Sequence, residues 1–399
     1  VTIFCCLDEL WIIFSTHNGI FKYRKRFLFL KLFGGILMVR GLRSAIVATA
    51  VTLLLGSSVS ASAASFTVAN NSSKKDATEK VYSYAKNELL KKNKDIATDE
   101  SGKTNNAKLF DKKAYKGVGA AGGYQDLLLG LKKQGYKFTA ADKKLVTDNL
   151  VITKKSTPAQ LANAIIGLQA LGLNPKAYKT SNEKLNLVST LYKSKAVLGK
   201  SATVNEQAQV LVALKSNKNF KAPKNAKFTV KKLSKNVAKQ QVKVANKKNK
   251  NYKNNGGWAY DGKAADVDVD TTAMTLNALK MSKNKSKIVK NAINNGQDFL
   301  KANVNKDGGF GVAGASNANT NAEVIIALSN SKKTFKNINV KKLNEKQESS
   351  TLQNTLSFVK KDGSIKGAYD ASLGAGQVLV SLSAYGNGKY ASKTVYQFN

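Results

Sequence analysis

Apolar residues recur at helical spacing through most of this chain, and strand-type alternation is scarce. Six segments are apolar nearly all round and align on a small residue followed by leucine: Gly130-Leu131, Gly167-Leu168, Ala213-Leu214, Ala278-Leu279, Ala327-Leu328 and Ser381-Leu382. Before each lies a more amphipathic, lysine-rich segment: Thr78–Leu90, Ala140–Leu150, Glu183–Leu191, Thr229–Val244, Lys287–Ala302 and Ser349–Val359. A helix apolar on every side must be surrounded by protein, whereas one with an apolar stripe needs cover on that stripe only. Six buried helices alternating with six half-exposed ones predict two concentric layers, an all-α fold arranged as an α6/α6 toroid of six helix pairs. The Gly, Ala or Ser before each leucine would let neighbouring helices approach closely. An open helical solenoid competes with this arrangement, but six repeats close a ring more naturally. Pro158 opens one helical pattern and Pro175 follows its end, as proline's fixed φ and missing N–H require.

The toroid pattern occupies residues 77–399, and three stretches precede it. From Met38 the chain carries Arg40 and Arg43, an apolar run Ala45 to Leu55, and small residues ending Ala61-Ser62-Ala63. That is the charged, apolar and A-x-A order of a secretory signal peptide, predicted over 38–63 with cleavage after Ala63. Residues 1–37 then read as a non-native N-terminal extension, with Met38 as the initiator. A membrane anchor over Leu10 to Leu37 is disfavoured, because Lys22, Arg24, Lys25 and Arg26 interrupt a run that needs roughly 20 apolar residues to span. Residues 64–76 are polar and read as a flexible leader.

This trimming changes the chemistry on offer. Cys5, Cys6 and His17 all lie upstream of Ala64, so the predicted mature chain has neither thiolate nor imidazole. No ordinary zinc site, Cys nucleophile or Ser-His-Asp triad can be built from it, and no metal or cofactor is expected. Without disulfides the fold must be held by its apolar core, which a chain of this length can supply. The formal net charge is +40, and every basic residue after position 63 is lysine. Lysine is a hydrated point charge, whereas bidentate phosphate and base recognition favours arginine. Diffuse attraction to an anionic cell-envelope polymer is therefore expected rather than specific nucleic-acid reading. The expected location is the cell wall of a Gram-positive-type bacterium, with solvation alone as the alternative role of the charge.

Two loops before apolar helices are rich in glycine and end in an aromatic: Asn255-Gly256-Gly257-Trp258 and Asp307-Gly308-Gly309-Phe310-Gly311. With Phe299-Leu300 upstream of the second, they resemble the repeat of protein prenyltransferase β subunits, squalene-hopene cyclases and the transcobalamin/intrinsic-factor proteins. The resemblance covers about 254–329 and implies an α/α toroid.

The sharpest segment is Asp266-Val267-Asp268-Val269-Asp270-Thr271-Thr272-Ala273-Met274. Either Asp268 or Asp270 suits a helix N-cap, accepting bonds from free backbone N–H groups. A calcium loop begun at Asp266 would need Gly sixth and Glu twelfth, where Thr271 and Asn277 stand. The segment is similar to the D-x-D-D-T of class II terpenoid cyclases, which would make Asp270 the alkene-protonating acid with Asp268 before it, but Thr271 replaces the adjacent carboxylate. A carbohydrate-active toroid using paired carboxylates would draw on Asp261, Asp266, Asp268, Asp270 and Glu323. Val269 to Met274 is also similar to the V-D-T-x-A-M segment of the cobalamin carriers, which implies a ligand at the toroid mouth, a corrinoid first, with a partner supplying the cover those proteins carry as a second domain. Aligning the repeats sets Asn317, Asn319, Thr320 and Asn321 opposite Asp268, Asp270, Thr271 and Thr272, with Gln160, Glu206, Gln209 and Gln377 on similar turns. The expected ligand-binding set is Asp268, Asp270, Thr271, Trp258, Asn317, Asn319, Asn321 and Gln377, suited to an amide-rich small molecule. The expectation is thus a secreted surface binding protein. An enzyme using Asp268 and Asp270, or a structural envelope protein retained by charge, are the alternatives.

Overall fold

A computed structural model describes residues 2–6, 9–16, 19–26, 71–96, 107–111, 124–180, 183–329, 350–368, 370–385 and 395–398. The signal-peptide reading over 38–63 lies outside the described residues. The chain divides into two compact units, Val1–Val59 and Ser60–Asn399. In the first, strands β1 (Thr2–Cys6), β2 (Glu9–Thr16) and β3 (Gly19–Arg26) form an antiparallel sheet in chain order.

The second unit is mostly helical, as the periodicity predicts. Its helices are α1 (Asn71–Tyr84, continued by a π-helical turn to Lys91), α2 (Gln125–Lys133), α3 (Ala140–Asn149), α4 (Pro158–Ala170), α5 (Leu187–Lys193) and α6 (Val204–Lys215). They continue with α7 (Val230–Lys239), α8 (Val269–Ser282), α9 (Lys287–Ala302), α10 (Ala318–Ser329), α11 (Ser350–Leu356) and α12 (Ala371–Tyr385). Because α1 opens at Asn71, the end of the stretch read as a leader is helical.

The even-numbered helices contain the six small-residue–leucine pairs and are the buried ones. In α10, every residue from Thr320 to Leu328 is buried. Most odd-numbered helices bury one stripe: α7 covers Leu233, Ser234, Val237 and Ala238 and turns its lysines outward, whereas α11 is buried from Thr351 to Thr355. Side chains punctuate the helix starts. Thr157 accepts from the Gln160 N–H while Gln160 returns a bond to the Thr157 N–H, and Pro158 occupies the first helical position, where its missing donor is not needed.

Packing follows sequence order and returns on itself. Helix α2 packs on α4, α4 on α6, α6 on α8, α8 on α10, α10 on α12, and α12 on α2. The odd helices lie against these, α5 on α4, α7 on both α6 and α8, α9 on α8, α11 on α10, and α1 on α12. Two-residue ladders sit in the connections, β4–β5 (Tyr178–Lys179 with Lys184–Leu185), β6–β7 (Trp258–Ala259 with Val267–Asp268) and β8–β9 (Gly311–Val312 with Ala315–Ser316). The last two lead directly into α8 and α10. Gly256 (φ 88°) and Gly308 (φ 82°) hold the same left-handed place in these two connections, a conformation that side chains resist. Among the described residues, no helix is long and apolar enough to cross a membrane.

Candidate functional site

The connections before α8 and α10 are built alike, which fixes what the segment 266–274 does. Asp268 pairs with Trp258 across β6–β7 and caps α8, its Oδ1 accepting the Thr271 N–H at 2.6 Å. Asn317 does the same for α10, its Oδ1 accepting the Thr320 N–H at 2.8 Å. Four residues on from each cap, a buried side chain grips the backbone of the loop aromatic. The Trp258 N–H donates to Thr272 Oγ1 at 2.9 Å, and the Phe310 N–H to Asn321 Oδ1 at 2.7 Å. Of the expected ligand-binding set, Asp268, Thr271, Asn317 and Asn321 are thus engaged in shaping helix starts and loops. Asn321 also donates to Asn354 Oδ1 at 2.7 Å. Trp258 is fully buried, and its indole N–H donates to the Val237 carbonyl at 2.9 Å. Its ring is core rather than a stacking surface.

The second residue of each of these helices behaves differently. Asp270 is not a cap: its Oδ2 accepts the Thr320 hydroxyl at 3.0 Å, joining α8 to α10. Asn319 donates to Gln377 Oε1 at 2.6 Å, and Gln377 donates to Glu323 Oε1 at 2.8 Å, joining α10 to α12. Asp126, again the second residue of its helix, is buried in α2, where Gln125 and the Tyr396 hydroxyl both donate to it. Asp270, Asn319, Gln377, Glu323 and Asp126 therefore project from four successive even-numbered helices into one polar interior.

The electrostatics follow from that convergence. Burial pushes the Asp270 carboxyl up to about 7, with the Asp268 charge adding to the effect and the Thr320 bond opposing it. Burial likewise raises Asp126 to about 6. Glu323 is raised well above its ordinary range, by burial first and then by both Asp126 and Asp270. Low dielectric thus favours the protonated form of each acid: at pH 7 about half of Asp270 keeps its proton, whereas most of Asp126 is ionised and accepts from Gln125 and Tyr396.

Helix α6 supplies groups in the same register. Asn205 and Gln209 are the second and sixth residues of α6, the places of Asn319 and Glu323 in α10. The oxygens Asn205 Oδ1, Gln209 Oε1 and Gln125 Oε1 are buried with no hydrogen-bond partner. An unpaired buried acceptor is uncommon and costs roughly 1–3 kcal/mol. Gln160 and Glu206 take part in the starts of α4 and α6 instead. Asp261 and Asp266 are exposed and face Lys263, so they stand apart from the interior acids. Among the described residues, no group of His, Cys, Asp and Glu is arranged to hold a metal ion.

Sequence reasoning did not reach Asp126 or Tyr396. For Asp126 a signal existed, an acid opening the otherwise apolar run Leu127 to Leu131, and it reads equally as a first-turn charge favoured by the helix dipole. Tyr396 lies beyond the last periodic segment and carries no local signal. No protein-family model matches this chain, and no curated protein matches it.

Proposed function

We propose that the second unit is a secreted α6/α6 toroid that binds a small, donor-rich ligand where its even-numbered helices begin. The observation that carries this reading is a set of buried polar groups near the starts of the even-numbered helices: three amide oxygens without a hydrogen-bond partner, on Gln125, Asn205 and Gln209, and the buried acids Asp126, Asp270 and Glu323. A ligand bearing hydroxyl, amide N–H or amine groups would satisfy them, whereas an anion would meet like charge and few free donors. Tyr260 and Val312, each two residues past the loop aromatic, are large apolar side chains left exposed on the connections before α8 and α10. They would give such a ligand apolar contact beside the hydrogen-bonding groups. A corrinoid, with its rim of amides, is the first compound to try, on the strength of the resemblance. Asp270, Asn319 and Gln377 are the core of the proposed site, with Asp126, Glu323, Asn205 and Gln209 added. The lysine-rich exterior would hold the protein to an anionic cell-envelope polymer.

Native mass spectrometry of the chain isolated from its own cells, then offered cobalamin, tests the binding reading. A retained or added ligand, weakened at least tenfold by Asp270→Asn, is the expected result; no adduct in either experiment overturns it. Retention by charge predicts release from cells at about 1 M salt, where the Debye length is roughly 3 Å.

An enzymatic reading has one observation in its favour. Asp270 near 7, beside acids of different proton affinity, is the arrangement general acid–base catalysis uses. Turnover of an oligosaccharide or an isoprenoid, abolished by Asp270→Asn with binding retained, would establish it in place of the carrier role. An inert protein held at the surface by charge alone would pass the salt test and fail both others.

A further inference from the structure

The segment Val395–Phe398 has no place in the helix-pair pattern, yet it is packed into the main core beside the even-numbered helices. Val395 and Tyr396 are buried and Phe398 is partly so. Its anchoring points are the far ends of two helices. The Phe398 N–H donates to the carbonyl of Ser216, which follows α6, at 2.7 Å. Lys133, the last residue of α2, donates to the Gln397 carbonyl at 3.4 Å and lies over the Phe398 ring, 5.5 Å from its centre. The Ser216 position is itself set by Gln169 of α4, which donates to its hydroxyl at 2.7 Å.

From that end Tyr396 reaches towards the helix starts, where its hydroxyl donates to Asp126 Oδ1 at 3.2 Å. Glu323 of α10 also lies near enough to act on the phenol. A segment serving only as packing would present apolar groups to the core, as Val395 does. Tyr396 instead delivers a hydroxyl to a buried carboxyl in the polar interior, which is what a donor-bearing ligand would do there. Among the described residues the segment belongs to no helix or strand and is attached through side chains and backbone hydrogen bonds, a mode of attachment that another molecule can replace.

We propose that Val395–Phe398 is an exchangeable occupant of a peptide-receiving site formed by α2 and the end of α6, and that Tyr396 fills the deep end of the site that a donor-rich ligand enters from the other side. The partner chemistry is that of the segment itself, a tyrosine and a phenylalanine two residues apart, supplied by the same segment of a second copy. The peptide-receiving site stands on packing and hydrogen bonds of its own, while competition with a ligand rests on the reading given above.

The probe is a fluorescent synthetic peptide of residues 394–399, Thr-Val-Tyr-Gln-Phe-Asn, titrated against three chains: the intact protein, a chain ending at Thr394, and intact-length Tyr396→Ala. Fluorescence anisotropy should show saturable binding to the shortened and Tyr396→Ala chains, and binding at least tenfold weaker to the intact protein. A site free in a tenth of molecules or fewer weakens apparent affinity by that factor. A Tyr→Phe peptide should bind the shortened chain several-fold more weakly, lacking the hydroxyl for Asp126. Equal binding to the intact and shortened chains, or no saturable binding to either altered chain, overturns the proposal. Should the shortened chain lose its helical circular dichroism, Tyr396→Ala, which keeps the whole backbone, decides. Peptide binding without any cobalamin adduct would sink the carrier reading alone, and the reverse pattern would sink the exchangeable segment alone.

Discussion

Gly376 lies inside α12 where that helix meets the start of α2, the contact that returns the helix order to its beginning. A methyl group at Gly376 would stand 2.4 Å from the Leu127 nitrogen, 2.6 Å from the Asp126 carbonyl carbon and 2.9 Å from the Leu127 Cα. All three are backbone atoms, so no rotamer change relieves the overlap, and α12 must move away by about 1 Å to reach ordinary contact. Gly376→Ala gains roughly 0.5–1 kcal/mol from the better helix former. Overpacking against rigid neighbours costs about 1–3 kcal/mol, and more where backbone must shift. The expected net loss is on the order of 2 kcal/mol. Gly167→Ala in α4 is the control, since its methyl would meet nothing closer than Leu128 Cδ1 at 3.5 Å. There the helix-propensity gain should survive, raising stability by about 0.5 kcal/mol. Denaturant unfolding followed by far-UV circular dichroism reads both as shifts of midpoint at constant slope. If Gly376→Ala matches the parent, or Gly167→Ala loses as much, the closing contact between α12 and α2 is not as described.

Two further predictions concern protons. Asp126 and Asp270 have folded-state pKa values raised from 3.8 to about 6 and about 7, so the native state binds more protons between about pH 4 and 7, and Glu323, raised well above its ordinary range, acts in the same direction. Their contribution is fully present below that window and lost as pH rises through it, a tenfold difference in proton affinity corresponding to about 1.4 kcal/mol. Denaturation midpoints should fall from pH 5 to pH 8, and Asp270→Asn should flatten the decline; a flat or rising profile in the parent would contradict the buried acids. At the other end of α8, Lys280 donates to the Ala327 carbonyl at 2.9 Å, and burial lowers its pKa from 10.5 to about 8. The native state therefore binds fewer protons than the unfolded chain between about pH 8 and 10.5, and stability gains from this lysine as pH rises across that range. Lys280→Met should be at least as stable as the parent at pH 7 and should lose that gain, measured by the same unfolding curves; an unfolded or pH-indifferent pair would refute the assignment.

What the sequence disclosed was governed by how local each determinant is. Lys287–Ala302 is a helix over the range its amphipathic period predicts, because a period of 3.6 is a property of the segment itself. The pattern over Thr229–Val244 overruns the helix, since α7 ends at Lys239. Beyond it the Val242 N–H donates to the Gly257 carbonyl and the Val242 carbonyl accepts from the Gly256 N–H, partners fifteen residues and fourteen residues away that no local period reports. Glu183 to Leu191 is divided in the same way, by the β4–β5 pairing and by Asn186, which accepts the Ser189 N–H to start α5 at Leu187. Glycine was informative in kind and not in place. Gly130 does face a close neighbour, Leu379 Cβ at 2.8 Å from its would-be methyl, while Gly167 has room and the tight approach that closes the helix order falls at Gly376, outside the aligned pairs. In the site, the acids around 270 were legible as a group. Which one caps and which one faces inward depends on a single step along the helix, from Asp268 to Asp270, and only the neighbouring Thr320 settles it.

The placement of charge separates two properties that a count of residues would merge. Lysines dominate the composition and give the formal charge of +40, yet two acids, Asp126 and Glu323, are buried in the interior together with Asp270. Exposed charges more than a Debye length apart are screened by salt, while groups in a low-dielectric interior are screened much less. Surface attachment through lysine should therefore weaken steeply with ionic strength, and hydrogen bonding at the interior acids should respond to pH and hardly to salt. A ligand whose affinity tracked ionic strength as steeply as cell attachment would have to bind the lysine exterior, not the interior around Asp270.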